Sequence, residues 1–226
     1  MNISEALDFL NFWIGKEKGA YFTVSELENL LDNGQMAYYS DIKARYATSQ
    51  LIKEILSPFK RNYDFTPSDT ISGYIVIPSD SDYLDLLSLQ IQYQISNTTV
   101  YVAVPVVNED ERADKLRSQV DPVTITSPFA EMFIPRFIKL YPTAGYTGTA
   151  TYLKRPIRPV FAYTLISGRA IVYDPVNSVQ MEWRVTEQVP VLLKALSSMG
   201  INLSDQQVSQ FAEIKTASNY QGINHL

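Results

Sequence analysis

The sequence contains no cysteine, which excludes disulfide bridges, thiolate metal sites and cysteine nucleophiles. This composition fits a protein that assembles in a reducing compartment. The only histidine, His225, lies beside the C-terminus, where chains fray. A single histidine in that position excludes histidine-based triads and histidine-rich metal sites. We therefore expect no metal, no other cofactor and no catalytic centre.

Charged residues are also scarce, at 19% of the 226 residues, and the formal net charge is −5. A weakly charged, net acidic chain is unlike a nucleic-acid binder that works by neutralising phosphates. No apolar run approaches the roughly 18 residues that indicate a membrane span. The acidic residues Glu5 and Asp8 lie where an export signal would be basic. We therefore expect neither a membrane partner nor export.

Apolar residues make up 46% of the chain, which is enough for a substantial core, and 15 residues are tyrosine. Many tyrosines with few charges are typical of proteins with extensive polar–apolar interfaces. A β-rich domain with ordinary tyrosine usage explains the composition equally well. The length allows one large domain or two small ones.

Residues 1–58 are predicted to form an N-terminal helical region. Ser4 is the expected N-cap of the first helix, and Gly15 and Gly19 mark its end. Thr23 and Glu26 have the spacing of a capping box at the start of the second helix. The Asn33-Gly34 pair is expected to bend or interrupt that helix. A short third helix is predicted over residues 49–56.

Aromatic side chains recur on the faces of these helices. Trp13, Tyr38 and Tyr39 fall at or next to positions with helical apolar spacing. Such residues are more often core than contact surface. The competing hypothesis is that they contact other subunits, and we keep them as candidate interface residues.

Residues 59–69 are predicted to be a linker because they combine basic and polar residues with Pro67. A β-rich body is predicted over residues 70–185. Its expected strands are residues 71–77, Tyr83–Ile95 with its hairpin partner 98–106, 132–141, 160–166 and 170–174. Pro135 is expected to interrupt strand 132–141. The stretch 143–152 is predicted to be a turn that leads into a further strand.

A surface helix is predicted within the body, over residues 108–120 with Asn108 as its cap. Glu109, Asp110 and Glu111 are consecutive, so their carboxylates point about 100° apart on a helix and do not converge on one metal ion. They are predicted to be a solvated helix start. Glu109, Glu111 and Arg112 are nevertheless kept as candidate partner-interface residues, the two glutamates by the pairing described below.

A C-terminal helix pair is predicted over residues 186–216, followed by a flexible tail at 217–226. Thr186 is the expected cap, and Pro190 is placed in the first turn. Gly200 is predicted to end this helix, with Ile201 touching Leu196 as in a Schellman motif. The last helix is expected to begin near Ser204. The polar tail is expected to order only against a neighbouring chain.

Together these elements predict an α+β fold: an N-terminal helical head, a central antiparallel β-rich body with a short inserted helix, and a C-terminal helix pair. Lys154, Arg155 and Arg158 form a compact basic cluster in the sequence. They are predicted to form local salt bridges or be solvated turn charges, or else to pair with the acidic helix, Glu109–Asp114, of another subunit.

Four segments, taken in order, resemble the ring or head-to-tail connector proteins of crAss-like and related Bacteroidetes phages. The first is the Gly-Lys-Glu-Lys-Gly stretch at 15–19 with the capped Thr-Val-Ser-Glu helix start at 23–26, and the second is the 109–118 helix with Glu111, Arg112 and Arg117, followed by Pro122. The third is the Tyr-Leu-Lys-Arg-Pro stretch at 152–156 with Pro159 and the aromatic strand beyond it. The fourth is residues 182–185, which lead into the helix that ends at Gly200 and then the capped last helix.

The resemblance implies a structural virion protein that is assembled in the host cytoplasm and located in the neck or tail. Its copies would form a ring, dodecameric in expectation, stacked below the portal. The ring would contact the portal and other neck or tail rings, join capsid to tail and leave a channel through which DNA passes as cargo.

Two other functions remain open at this point. The first is a monomeric carbohydrate- or peptide-binding module that uses exposed tyrosines as stacking platforms, with Tyr38, Tyr39 and the tyrosines of residues 141–152 as candidates. The second is a hydrolase with a carboxylate pair, although no two of the 24 acidic residues form a recognisable motif.

Overall fold

A computed structural model describes residues 1–19, 21–47, 49–71, 74–78, 82–95, 98–134, 136–143, 146–166, 170–201 and 203. The chain divides into two compact units. We call Met1–Ile55 with Pro156–Leu226 the helical unit, and Leu56–Arg155 the sheet unit. The sheet unit is thus inserted between the two chain segments that build the helical unit.

The mixed α+β class predicted from the sequence is confirmed. The helices are α1 (Ile3–Lys18), α2 (Val24–Lys43), α3 (Gln50–Ile55), α4 (Glu109–Arg117) and α5 (Val185–Ser198). The strands are β1 (Lys60–Phe65), β2 (Thr70–Ile71), β3 (Tyr74–Val76), β4 (Tyr83–Ile95), β5 (Thr98–Ala103), β6 (Val106–Val107), β7 (Phe129–Ile134), β8 (Phe137–Tyr141), β9 (Thr147–Lys154), β10 (Tyr163–Ile166) and β11 (Ala170–Tyr173).

Helix α1 begins and ends with local signals. Asn2 is the N-cap: its side chain accepts from the Glu5 N–H at 2.9 Å, and the Glu5 carboxylate accepts from the Asn2 N–H at 2.9 Å. The prediction of Ser4 as the cap was therefore wrong. The helix runs through Gly15 and ends at Gly19, whose φ of 62° is the left-handed conformation that favours glycine.

Helix α2 begins at the predicted capping box. The Thr23 hydroxyl accepts from the Glu26 N–H at 3.4 Å, and the Glu26 carboxylate accepts from the Thr23 N–H at 2.8 Å. The helix is not interrupted at Asn33-Gly34. Gly34 is where α2 meets α5, because a Cβ on Gly34 would lie 2.6 Å from the Cβ of Ala195.

Helix α5 begins after Arg184, so the prediction of Thr186 as its cap was wrong, and Pro190 lies in the second turn rather than the first. Its end is as predicted. Gly200 has a φ of 74°, its N–H donates to the Ser197 carbonyl at 2.9 Å, and the Ile201 N–H donates to the Leu196 carbonyl at 3.0 Å. These two bonds define a Schellman motif. The predicted last helix and tail lie outside the described residues.

The segment that enters the helical unit after the sheet unit is held along α2 by three side chains. Gln35 donates to the Ile157 carbonyl at 3.0 Å, and Asn29 accepts from Arg158 at 2.7 Å. Glu28 accepts from the Phe161 N–H at 2.7 Å. Strands β10 and β11, which were predicted within the β-rich body, belong to the helical unit and pair with each other in antiparallel fashion.

The sheet unit contains two sheets. One is four-stranded in the order β1-β9-β4-β5 and antiparallel throughout. The other is five-stranded in the order β2-β3-β8-β7-β6, with only β6 parallel to its neighbour. One hydrophobic core draws on both sheets; it includes Phe65, Ile75, Leu89, Ile138 and Ala150.

Two predictions about the sheet unit were wrong. The stretch 59–69, predicted to be a linker, contains β1, which pairs along its whole length with β9. Residues 132–141 are not one strand but most of the hairpin β7–β8, which turns where Arg136 adopts a φ of 73°. The 13-residue strand β4 and helix α4, with Asn108 as its N-cap, agree with the prediction.

Candidate functional site

The basic residues that are neighbours in sequence are divided between the two units. Lys154 ends β9 in the sheet unit, opposite Tyr83, and its side chain is buried. Arg155 is exposed at the end of the same unit, where its N–H donates to the Asp82 carbonyl at 2.7 Å. Arg158 belongs to the helical unit, where it binds Asn29. The burial of Lys154 removes it from the predicted solvent-facing cluster.

Arg112 binds a carboxylate of its own sheet unit. Its Nη1 lies 3.1 Å from both Oε1 and Oε2 of Glu131, a residue of β7 that is only 5% exposed. The Tyr141 hydroxyl donates to Oε2 of the same carboxylate at 3.3 Å. The hydrogen bond to Glu131 raises the pKa of the Arg112 guanidinium. Arg112 therefore compensates a buried charge within the chain.

Aromatic rings complete this cluster. Lys139, which lies opposite Glu131 in the β7–β8 register, places its Nζ 5.1 Å from the Tyr141 ring and 5.4 Å from the Tyr74 ring. Its contact with Tyr141 raises the pKa of the Lys139 ammonium group. Both Glu131 oxygens accept hydrogen bonds from side chains of the same unit.

Glu131 was missed in the sequence analysis. Its signal was an acidic residue inside an otherwise apolar strand, Phe129–Ile134, where a charge needs a partner. The two acidic interface candidates of helix α4, Glu109 and Glu111, lie on the surface. Glu109 lies 3.8 Å from Arg112 with its side chain largely exposed, and Glu111 accepts from the Asn108 N–H at 3.4 Å. Their contact with another subunit stays a prediction.

The three aromatic interface candidates lie in the helical unit. Trp13 is 2% exposed, with Lys16 Nζ 4.6 Å above its ring, and Tyr39 is 1% exposed. The half-buried Tyr38 donates its hydroxyl hydrogen to Glu187, and its ring centroid lies 5.1 Å from that of Trp183. Burial and this bond raise the pKa of Tyr38. Burial in the core of their own unit leaves Trp13 and Tyr39 almost no surface for another subunit.

Burial also changes which tyrosines are available as stacking platforms. Tyr39, Tyr146 and Tyr152 are buried, so they cannot stack on a ligand from solvent. The large exposed tyrosines among the described residues are Tyr21, Tyr101 and Tyr163. The prediction of exposed platforms at Tyr38-Tyr39 and in residues 141–152 was therefore wrong for its buried members.

Each unit presents an apolar surface that the sequence analysis did not single out. In the helical unit, Tyr163, Leu165 and Val172 of the β10–β11 hairpin are exposed, Leu165 to 57%. In the sheet unit, a groove of about 340 Å³ is lined mainly by apolar side chains, among them Leu86, Val104, Val106 and Met132. The signal for the hairpin was a pair of uncharged strand segments separated in sequence by Ser167, Gly168 and Arg169.

Among the described residues, no three acidic or histidine side chains converge as a metal site requires. None of the helices in the described part of the chain is both long and apolar enough to cross a bilayer. No protein-family model matches the chain, and no curated protein matches it.

Proposed function

We propose that this chain is a structural virion protein whose copies form a ring that joins the portal vertex to the tail and leaves a passage for DNA. The proposal starts from the resemblance of four sequence segments to connector proteins of crAss-like phages. The structural observation that carries it is the pair of unlike apolar surfaces, the hairpin on the helical unit and the groove on the sheet unit.

A ring requires two different faces on every subunit. Its contacts are heterologous, so one face of a subunit binds the other face of the next, and the series closes when the rotation between neighbours divides a full turn. A protein with a single self-complementary patch forms a closed dimer instead. A hairpin and a groove on one chain are two such unlike faces, which supports the proposal.

Charge supports the passage of DNA. A channel through which DNA moves must not hold the phosphates, and strong binding arises when many lysine and arginine side chains neutralise them. Here the acidic residues outnumber the basic ones, 24 to 19.

The outer face of the four-stranded sheet favours a second function, a carbohydrate-binding module. The exposed Tyr101 lies opposite Gln92 in the β4–β5 register, and Gln92, Gln94, Thr99 and Thr147 line a shallow polar pocket. An exposed ring beside amide and hydroxyl groups suits stacking on a sugar. This function predicts saturable glycan binding by a monomer, abolished by Tyr101→Ala.

The deciding experiment measures the mass and the shape of the particles that the purified chain forms, alone and mixed with the portal and neighbouring ring proteins of its virion. Light scattering and negative-stain micrographs are expected to show a closed ring of many copies, formed directly or on the portal. A strict monomer in every mixture would refute the ring, and glycan binding by that monomer would favour the second function.

A further inference from the structure

The strand register defines the outer face of the four-stranded sheet. Residues directly opposite one another in an antiparallel sheet point to the same side, as do alternate residues along a strand. Phe65, Leu89 and Ala150 are buried in the core, so their neighbours along each strand face outward. Four outward rows cross the strands: Asn62 with Thr151 and Ser88; Asp64 with Thr149, Gln90 and Ala103; Thr147 with Gln92 and Tyr101; and Gln94 with Thr99. We call these twelve residues the polar face, which ends where Leu153 of the next row is buried.

The polar face is accessible and carries almost no charge. All its members are exposed or half-buried, and Tyr101 is 68% exposed. Every member except Ala103 bears a hydroxyl, amide or carboxyl group, yet Asp64 alone is charged. An ordinary protein surface has roughly three or four charged residues among twelve. Depletion of charge together with an exposed tyrosine is typical of a surface that loses water when it binds a ligand.

Hydrogen bonds between strands hold part of the polar face in place. The Thr149 hydroxyl donates to Asp64 Oδ1 at 2.6 Å, and the Thr151 hydroxyl donates to Asn62 Oδ1 at 3.1 Å. Each hydroxyl oxygen keeps lone pairs that can accept from a ligand, and glutamine amides supply both donors and acceptors. Beside Tyr101, a shallow pocket of about 170 Å³ is lined by Gln92, Tyr93, Gln94, Thr99 and Thr147. The face therefore presents fixed polar groups around an exposed ring.

The side chains of the polar face discriminate among classes of ligand. A protein partner requires an apolar interface core, for which this face offers only Tyr101 and Ala103. A nucleic acid or another polyanion requires lysine and arginine, and the twelve residues include neither but do include the Asp64 carboxylate. A neutral glycan has hydroxyl groups that donate and accept hydrogen bonds, and its C–H faces stack on aromatic rings. This is the ligand whose groups match the ring, the amides, the hydroxyls and the carboxylate together.

We propose that the polar face binds a neutral oligosaccharide, with one sugar ring stacked on Tyr101 and its hydroxyl groups bonded to Gln92 and Thr147. The oligosaccharide continues over Thr149, and the Asp64 carboxylate accepts from its hydroxyl groups. The face extends about 14 Å across the four strands and about 20 Å along β4, which is room for several sugar rings. This inference rests on the second function proposed above, whose site and ligand it specifies, and it does not depend on a ring.

Binding of the full chain to an array of oligosaccharides tests the ligand class. The neutral probes are glucan, mannan, galactan and N-acetylglucosamine oligosaccharides, and the acidic comparators are oligogalacturonates and sialylated oligosaccharides. Saturable binding to at least one neutral probe is expected. The acidic comparators are expected not to bind, because the face has no cation to pair with a carboxylate and Asp64 repels one. Titration calorimetry with the tightest neutral probe then gives the dissociation constant.

Two variants of exposed residues test the site. Tyr101→Ala removes the stacking ring and is expected to raise the dissociation constant at least about tenfold. Gln92→Ala removes one amide and is expected to raise it about threefold or more. Tyr21→Ala is the matched control, since it removes the same ring at a 93%-exposed position of the helical unit, and it is expected to bind like the unmodified chain. Circular dichroism and thermal unfolding establish that all three variants fold.

The possible results separate the site from the function. If the chain binds a neutral probe but Tyr101→Ala and Gln92→Ala bind it like the Tyr21→Ala control, the polar face is refuted while glycan binding stands. Equal binding of acidic and neutral probes refutes the ligand class. If no neutral probe binds, the site and the second function are overturned together, and the ring, which is tested by particle mass, is unaffected.

Discussion

Replacing Gly34 by alanine provides a sharp test of the packing in the helical unit, because helix propensity and tertiary contact predict opposite signs. Alanine in the interior of α2 favours the helix by about 1 kcal/mol over glycine. The structure places Gly34 against α5, where an added Cβ would lie 2.6 Å from Ala195 Cβ, 2.8 Å from its N and 2.9 Å from its Cα.

The magnitude follows from those distances. Ordinary contacts begin near 3.4 Å, so the helices must separate by close to 1 Å or bend. No rotamer change can relieve the clash, because two of the three atoms are backbone and the third is a Cβ. Overpacking of this kind costs about 1–3 kcal/mol, and the upper end applies to rigid neighbours. After the propensity gain, Gly34→Ala is expected to destabilise the protein by about 2 kcal/mol.

Tryptophan fluorescence during urea unfolding is the appropriate assay. The only two tryptophans, Trp13 and Trp183, are buried in the helical unit and report its unfolding. Gly15→Ala is the matched control, since it changes a glycine inside α1 whose added Cβ has nothing within 4 Å. The control is expected to stabilise by about 0.5–1 kcal/mol.

A second-site change completes the test. Ala195→Gly removes only the facing Cβ and leaves the Ala195 N and Cα at 2.8 and 2.9 Å, while glycine in α5 costs about 1 kcal/mol of helix propensity, so the double variant is expected to remain less stable than the unmodified chain. If Gly34→Ala proves as stable as Gly15→Ala, the close approach of α2 and α5 at this position is wrong.

The other predictions concern single residues of the helical unit. Gly200→Ala is expected to cost about 1 kcal/mol in the same assay, because its φ of 74° disfavours any Cβ, and Gly200→Asn is expected to cost less. For Tyr38 the effect appears with pH. Burial and the bond to Glu187 raise the pKa of Tyr38, so the stability it contributes is complete below about pH 10 and is lost as the pH rises towards its folded-state pKa. Tyr38→Phe is expected to flatten this alkaline loss, and an unchanged slope would contradict it.

Local hydrogen bonds are the part of this fold that a sequence reveals. The Thr23–Glu26 box and the Gly200 end of α5 depend on residues within a few positions, and both were predicted correctly. The cap of α1 was missed although its signal was present. Glu5 is three residues after Asn2, whereas Leu7 is three residues after Ser4, and only an acid or amide at that spacing completes a box.

Errors arose where pairing with distant residues decides the structure. Lys60–Phe65 is polar because it forms an edge strand with much of its length exposed, and such a composition is also typical of linkers. Similarly, nothing near Gly34 indicates that Ala195 lies against it. Arg112 was kept as a candidate interface residue, and its partner Glu131, 19 residues away along the chain, was not predicted.

The helical unit is built from two chain segments that are distant in sequence. Its α2 packs on α5 and binds residues 157–161 through Glu28, Asn29 and Gln35, so neither chain segment builds this core without the other. The β10–β11 hairpin belongs to the later segment. A chain that lacks either segment is therefore expected to lose the core of the unit that carries this hairpin.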